Sequence, residues 1–138
     1  MLVNCNVKKT SVLIFTMMVI CTVLLFGCGQ KEASNLVKQS SKLETVTITL
    51  HNGDIVKVTD STEIQDIVKV LNDAMHTKKV STQDVPEADK YGKITLESKD
   101  GDRKMYYYEK KKKWYIEEPY VGIYQHSQNL NEYFSHYS

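Results

Sequence analysis

"KITLESKDGDRKMYYYEKKKKWYIEE", residues 93–118, holds three runs in which apolar and polar residues alternate, separated by two polar breaks. A period of two is the signature of a half-buried strand. A two-residue turn at Asp100-Gly101 pairs Leu96 with Met105 and Ile94 with Tyr107. A two-residue turn at Lys111-Lys112 pairs Tyr107 with Ile116 and Glu109 with Trp114. The two registers are derived separately, yet both put Ile94, Leu96, Met105, Tyr107, Trp114 and Ile116 on one face. That agreement predicts a three-stranded antiparallel meander. Tyr106, Tyr108 and Tyr115 fall on the other face. Pro119 ends the third strand, because it has no N–H to give to a ladder.

Upstream, "ETVTITL" (44–50) and "IVKV" (55–58) flank Asn52-Gly53 and predict a hairpin. A three-residue loop, Asn52-Gly53-Asp54, pairs Leu50 with Val56 and Ile48 with Val58, so every apolar residue except Ile55 shares one face. Asp60-Ser61-Thr62-Glu63 has the pattern of a helix start. Ile64, Ile67, Val68, Leu71, Ala74 and Met75 follow at helical spacing, with His76, Lys78 and Lys79 complementing the carboxyl end. "VSTQDVPEADKYG" (80–92) reads as an irregular crossing. Downstream, Gly122 allows a turn, and Ser127 caps a short helix with Leu130, Tyr133, Phe134 and Tyr137 on one stripe. The expected fold is α+β: an antiparallel sheet, made of the amino-terminal hairpin plus the meander, covered on one face by one long helix and a short carboxy-terminal helix.

The amino terminus has a different character. Lys8-Lys9 precedes "TSVLIFTMMVICTVLLFG" (10–27), which carries no charge. This is a basic region followed by an apolar core. Leu25-Phe26-Gly27-Cys28 resembles the bacterial lipobox, with Phe26 departing from the usual small or β-branched residue. The expectation is a signal peptide over 1–27, cleaved between Gly27 and Cys28, with diacylglyceryl and palmitate chains on Cys28. An uncleaved transmembrane anchor is the alternative. Acyl chains contribute about 0.8 kcal/mol per buried methylene, so two or more hold firmly. Residues 28–42 read as the lipidated cysteine and a flexible tether with a reach of roughly 20 Å, and 43–138 as the folded domain. Cys5 and Cys21 lie in the segment to be removed, so the mature domain has no disulfide and no cysteine metal site. These features place the domain on the extracytoplasmic face of a cell membrane, and its lysine- and tyrosine-rich composition fits a Gram-positive envelope.

A net charge of +1 is too small for a nucleic-acid binder, and no nucleic-acid partner is expected. Lys110–Lys113 is first a hairpin tip, where charge discourages strand pairing with neighbours; it would also attract anionic wall polymer or lipid headgroups. Glu117 and Glu118 point to opposite faces and form no acid/base pair. His51, His76, His126 and His136 lack metal-ligand spacing, and no nucleophile elbow or phosphate-cradling loop is present. No catalytic residue, metal or cofactor is expected. The reading is a non-enzymatic binding module at the cell envelope, whose outward tyrosines Tyr106, Tyr108 and Tyr115, with Tyr120 and Tyr124, contact an envelope protein or wall polymer. Two alternatives stand beside it: a wall-modifying hydrolase with a site around Glu117, His126 and Glu132, and a peptide pheromone released from "VICTVLLFG" (19–27).

"STQDVPEADKYGKITL" (81–96), the tyrosine-rich strand and "WYIEEPYVGIY" (114–124) carry a resemblance. Asp84-Val85-Pro86 and Tyr115-Ile116-Glu117-Glu118-Pro119-Tyr120 with Gly122-Ile123-Tyr124 are its most specific pieces. Over roughly residues 44–134 the chain resembles small cell-surface lipoproteins of Bacillus and relatives that carry a domain of unknown function. The resemblance implies a surface lipoprotein and brings no catalytic residues. It also links such domains to extracytoplasmic regions of membrane-bound regulators, which implies sensing or binding.

Overall fold

The computed structural model describes residues 35–38 and 42–138. The apolar amino-terminal segment, Gly27 and Cys28 lie outside the described residues. The alternating runs form strands β1 (Leu43–Thr49), β2 (Ile55–Val58), β4 (Tyr91–Ser98), β5 (Arg103–Lys110) and β6 (Lys113–Glu118). Two further strands, β3 (Met75–Lys79) and β7 (Gly122–His126), join them. All seven pair antiparallel in the order β2-β1-β4-β5-β6-β7-β3. The described helices are α1 (Ser61–Asn72) and α2 (Leu130–Ser135).

This overturns the α+β expectation: among the described residues the fold is mainly β, a single large sheet with two short helices. The apolar spacing predicts a long helix that runs on through Met75 toward Lys79. It stops at Asn72, with Asp73 as its carboxyl cap, and Met75–Lys79 becomes an edge strand against β7. "MHTKK" is short, polar and irregular, as edge strands tend to be, and so gives no alternation to read. The segment after Pro119 likewise continues the sheet instead of leaving it. Glu118 accepts from Val121 N–H across a tight turn, with Pro119 first and Tyr120 at φ 60° second. The cap of α2 is Asn129, which accepts from Glu132 N–H, and not Ser127.

The β5–β6 register is the expected one, with Tyr107 opposite Ile116 and Glu109 opposite Trp114. Lys111 and Lys112 both have positive φ, 53° and 61°, as a two-residue type I′ turn demands. The other two hairpins shift by two residues, which preserves the faces. Ile48 pairs with Val56, because the loop is His51-Asn52-Gly53, closed by Gly53 N–H to the Leu50 carbonyl. Ile94 pairs with Met105 and Gly92 with Tyr107. The outer edge of the Tyr107 ring occupies the space a side chain at Gly92 would need; a Cβ there would sit 2.1 Å from ring carbons. Only a glycine admits that ring, so the aromatic selects its partner and fixes the register.

One sheet face carries the main core. Val46, Ile48, Ile94, Leu96, Met105, Tyr107 and Ile116 pack against Ile64, Ile67 and Leu71 of α1 and Leu130 and Phe134 of α2. Asp60 starts α1 by accepting from Thr62 and Glu63 N–H. Leu36 and Val37 belong to the same core, each 5% exposed. The Asn72 side chain makes a two-way bond with the Val37 backbone. Arg103, held by both oxygens of Glu118 at 2.9 and 2.7 Å, also donates to the Leu36 carbonyl. The tether expected over 28–42 is thus docked at residues 35–38, and the folded unit begins before residue 43.

Candidate ligand groove on the second sheet face

β3 lies at one sheet edge and β4 in the middle, so the chain from 80 to 90 must cross the sheet. The helices fill the first face, and the crossing therefore runs over the second. Ser81, 2% exposed, is laid beside β6, where its hydroxyl donates to Glu117 Oε1 at 2.6 Å. Tyr108 donates its hydroxyl to Glu117 Oε2 at 3.1 Å. Glu117 is 2% exposed, and each of its oxygens accepts a hydroxyl bond, which offsets part of the cost of burying it.

Beside this buried cluster an open groove of about 420 Å³ remains. Its floor is Tyr108 against Tyr115, a directly paired cross-strand couple stacked at 5.6 Å and 24°. Thr77 and Lys79 come from β3, Ile123 and Gln125 from β7, and Lys110 and Lys111 from the β5–β6 hairpin. Thr77 Oγ1 donates to the Ile123 carbonyl at 2.7 Å and ties β3 to the rim. Lys79, Lys110 and Lys111 are exposed. None of them forms an ion pair among the described residues. Burial first, and then the Glu117 carboxylate, push the Tyr108 phenol well above its ordinary pKa, so its hydroxyl stays a donor. The groove is thus lined by a stacked aromatic pair and by three lysines that have no ion-pair partner among the described residues.

The five tyrosines singled out in the sequence do not form one surface. Tyr108 and Tyr115 do come together, with Tyr108 only 6% exposed. Tyr106 is half-buried on the same face and meets Tyr91 edge-on at 5.5 Å. Tyr120 is exposed, and its hydroxyl donates to Asp84 Oδ1 at 2.9 Å, pinning the crossing. Tyr124 lies opposite Ile116, on the core face, edge-on to His76. Nor are Glu117, His126 and Glu132 assembled. Glu117 belongs to the second face, whereas His126 pairs with Trp114 on the core side and bonds the Val70 carbonyl. Glu132 sits in the first turn of α2. Among the described residues, no group of three His, Cys, Asp or Glu could hold a metal ion.

Sequence reasoning does not bring Thr77, Lys79, Ile123 and Gln125 together, because β3 carries no alternation and β7 only a short one. The weak signal was the short alternation in "GIYQH", which follows a Pro-containing turn of hairpin length.

A comparison with solved structures finds a chain described as "NMR structure of the protein from Ruminococcus gnavus". It is 35% identical, with a TM-score of 0.62, over 67% of this chain and 91% of that one. No curated protein matches. The DUF5301 family model, described as a domain of unknown function (DUF5300), matches residues 31–125. That span starts ahead of the docked Leu36-Val37 and runs through β7, so the chain belongs to the DUF5301 family of domains of unknown function.

Proposed function

We propose that this chain is a non-enzymatic binding module, held at the outer face of the cell membrane by lipid on Cys28, and that its second-face groove takes an anionic wall polymer. One observation carries the reading: three lysines without an ion-pair partner among the described residues line the same groove as the stacked Tyr108–Tyr115 pair. Two further points support it. Lys111 and Lys112 occupy backbone positions with φ of 53° and 61°, where a side chain costs roughly 1–2 kcal/mol each relative to glycine. Asn-Gly is the favoured occupant of such a turn, so the lysines are kept there against a backbone preference. Each lysine near a dense anionic surface is worth about 1 kcal/mol, and three together give useful attraction without any enclosed pocket. The lipobox-like Leu25-Phe26-Gly27-Cys28 supports the location, and the kinship to Bacillus-type surface lipoproteins belongs to the same reading.

The test is co-sedimentation of the full chain with isolated cell walls. The Lys79→Glu/Lys110→Glu/Lys111→Glu protein should stay in the supernatant and melt like the parent, because all three side chains are exposed. Walls stripped of anionic polymer should retain neither protein. Equal sedimentation of parent and variant would remove the proposal. Cys28→Ala should leave the chain unlipidated, and membrane retention of acyl label by that variant would contradict the anchor.

A further inference from the structure

On the core side of the same β5–β6 hairpin lies a second opening of about 430 Å³, built from four separate segments. His51 comes from the β1–β2 loop, Lys90 and Asp89 from the crossing, Glu109 and Trp114 from the hairpin, and Asn129 and Asn131 from the start of α2. Its apolar wall is a ladder of rings. His51 stacks on Tyr107 at 5.2 Å and on Trp114 at 5.7 Å, with interplanar angles of 13° and 24°. Trp114 remains partly exposed. His51 Nε2 is buried without a well-formed hydrogen bond.

The polar groups around this wall are arranged for a ligand with both donors and acceptors. Asn131 Oδ1 accepts from His51 N–H and from the Tyr107 hydroxyl, both at 3.2 Å. Asn129 Oδ1 accepts from Glu132 N–H. These donors fix which end of each amide is oxygen, and both NH₂ groups are left without a partner among the described residues. Glu109 and Asp89 add acceptors, and Lys90 adds a donor. All three are exposed, and none forms an ion pair among the described residues.

We propose that this cleft binds an uncharged sugar residue, with its C–H face against Trp114 and its hydroxyls on Glu109, Asp89 and the two amides. A hydroxyl both gives and takes a hydrogen bond, so it is satisfied by a mixed set of carboxylates and amide NH₂ groups. An anion is disfavoured here by the two carboxylates. A simple cation would leave the aromatic wall and the amide donors unused. A ring with one apolar face and polar edges uses all of them, in the usual pattern of an apolar pocket with a few convergent polar groups. The site is separate from the lysine groove and stands whether or not that groove binds polymer.

Trp114 is the chain's only tryptophan and lines this cleft, so its emission reports on binding there. The full chain in a sugar-free detergent is titrated with N-acetylglucosamine trimer, with maltotriose and with inorganic phosphate. A saturable change in Trp114 emission with at least one of the sugars is expected. Asp89→Ala/Glu109→Ala should weaken that response by about tenfold or more, the effect of losing at least one hydrogen bond to a charged group. Lys79→Glu/Lys110→Glu/Lys111→Glu should leave it unchanged. Both carboxylates are exposed and unpaired, so their loss should leave the melting transition in place. No saturable response to either sugar, a response to phosphate instead, or an undiminished response in the double variant would overturn the proposal.

Discussion

Gly92→Ala is the sharpest perturbation the fold offers. The new Cβ would lie 2.1 Å from two ring carbons of Tyr107 and 2.4 Å from its hydroxyl. The ring has nowhere to go: Tyr107 is fully buried, with His51, Trp114 and Phe134 all packed on it. Overpacking of this kind costs about 1–3 kcal/mol, and the absence of free space puts it at the upper end. Moving the ring also breaks the hydroxyl bonds to the Thr49 carbonyl and to Asn131, 3.4 and 3.2 Å long. Both are long and together contribute about 1 kcal/mol. Alanine recovers about 0.5–1 kcal/mol of backbone entropy over glycine in a strand. The net expectation is a loss of about 3 kcal/mol, or roughly 12–24 °C in Tm for a domain of this size. Urea unfolding measures the first quantity and calorimetry the second. The control is the same change in a Tyr107→Leu background, which lacks the overlapping ring atoms. There Gly92→Ala should be neutral or slightly stabilising, giving a coupling energy of about 3 kcal/mol. An equal cost in both backgrounds, or a loss under about 1 kcal/mol in the parent, would refute the argument that Tyr107 selects Gly92 and thereby sets the β4–β5 register.

Lys111→Asn with Lys112→Gly gives the type I′ turn its preferred residues, so urea unfolding should show a gain of about 1–2 kcal/mol; the same variant should lose wall affinity, an opposition that a purely structural turn would not show. His51 has its pKa lowered below 6.5, chiefly by burial, against a smaller opposing pull from the Tyr107 backbone. The unfolded chain therefore binds this proton more readily, and stability falls as pH drops from 6.5 through the folded value. Tm measured between about pH 5 and 8 should show that decline in the parent and a smaller one in His51→Gln. Arg103→Met strips Glu118, 9% exposed, of its bidentate partner and frees the Leu36 carbonyl. A loss of about 3 kcal/mol is expected, with faster proteolysis at residues 35–38 as the readout that separates undocking from general destabilisation.

The residues explain what could and could not be read in advance. The β5–β6 register was legible because a two-residue turn leaves no slack. The other two hairpins were displaced because their glycines end the turn instead of occupying its centre, as Gly53 does at φ 92°. Faces survived, since a shift of two keeps parity. β3 is hidden in the sequence because a polar edge strand directly after a helix looks like that helix's basic end. The burial of Tyr108 was hidden for a different reason. It depends on Glu117 and on Ser81, whose bond to Glu117 spans 36 residues, and no local pattern records such a contact. Likewise the groove needs β3 beside β7, a pairing that only the whole sheet order supplies.

The groove itself is tested most directly by amide chemical shifts of the full chain during titration with a soluble glycerol-phosphate oligomer. Shifts concentrated at Thr77, Lys79, Tyr108, Lys111 and Tyr115, fading as salt is raised, are the predicted result. Shifts absent there, or spread evenly over all the lysines, would contradict it.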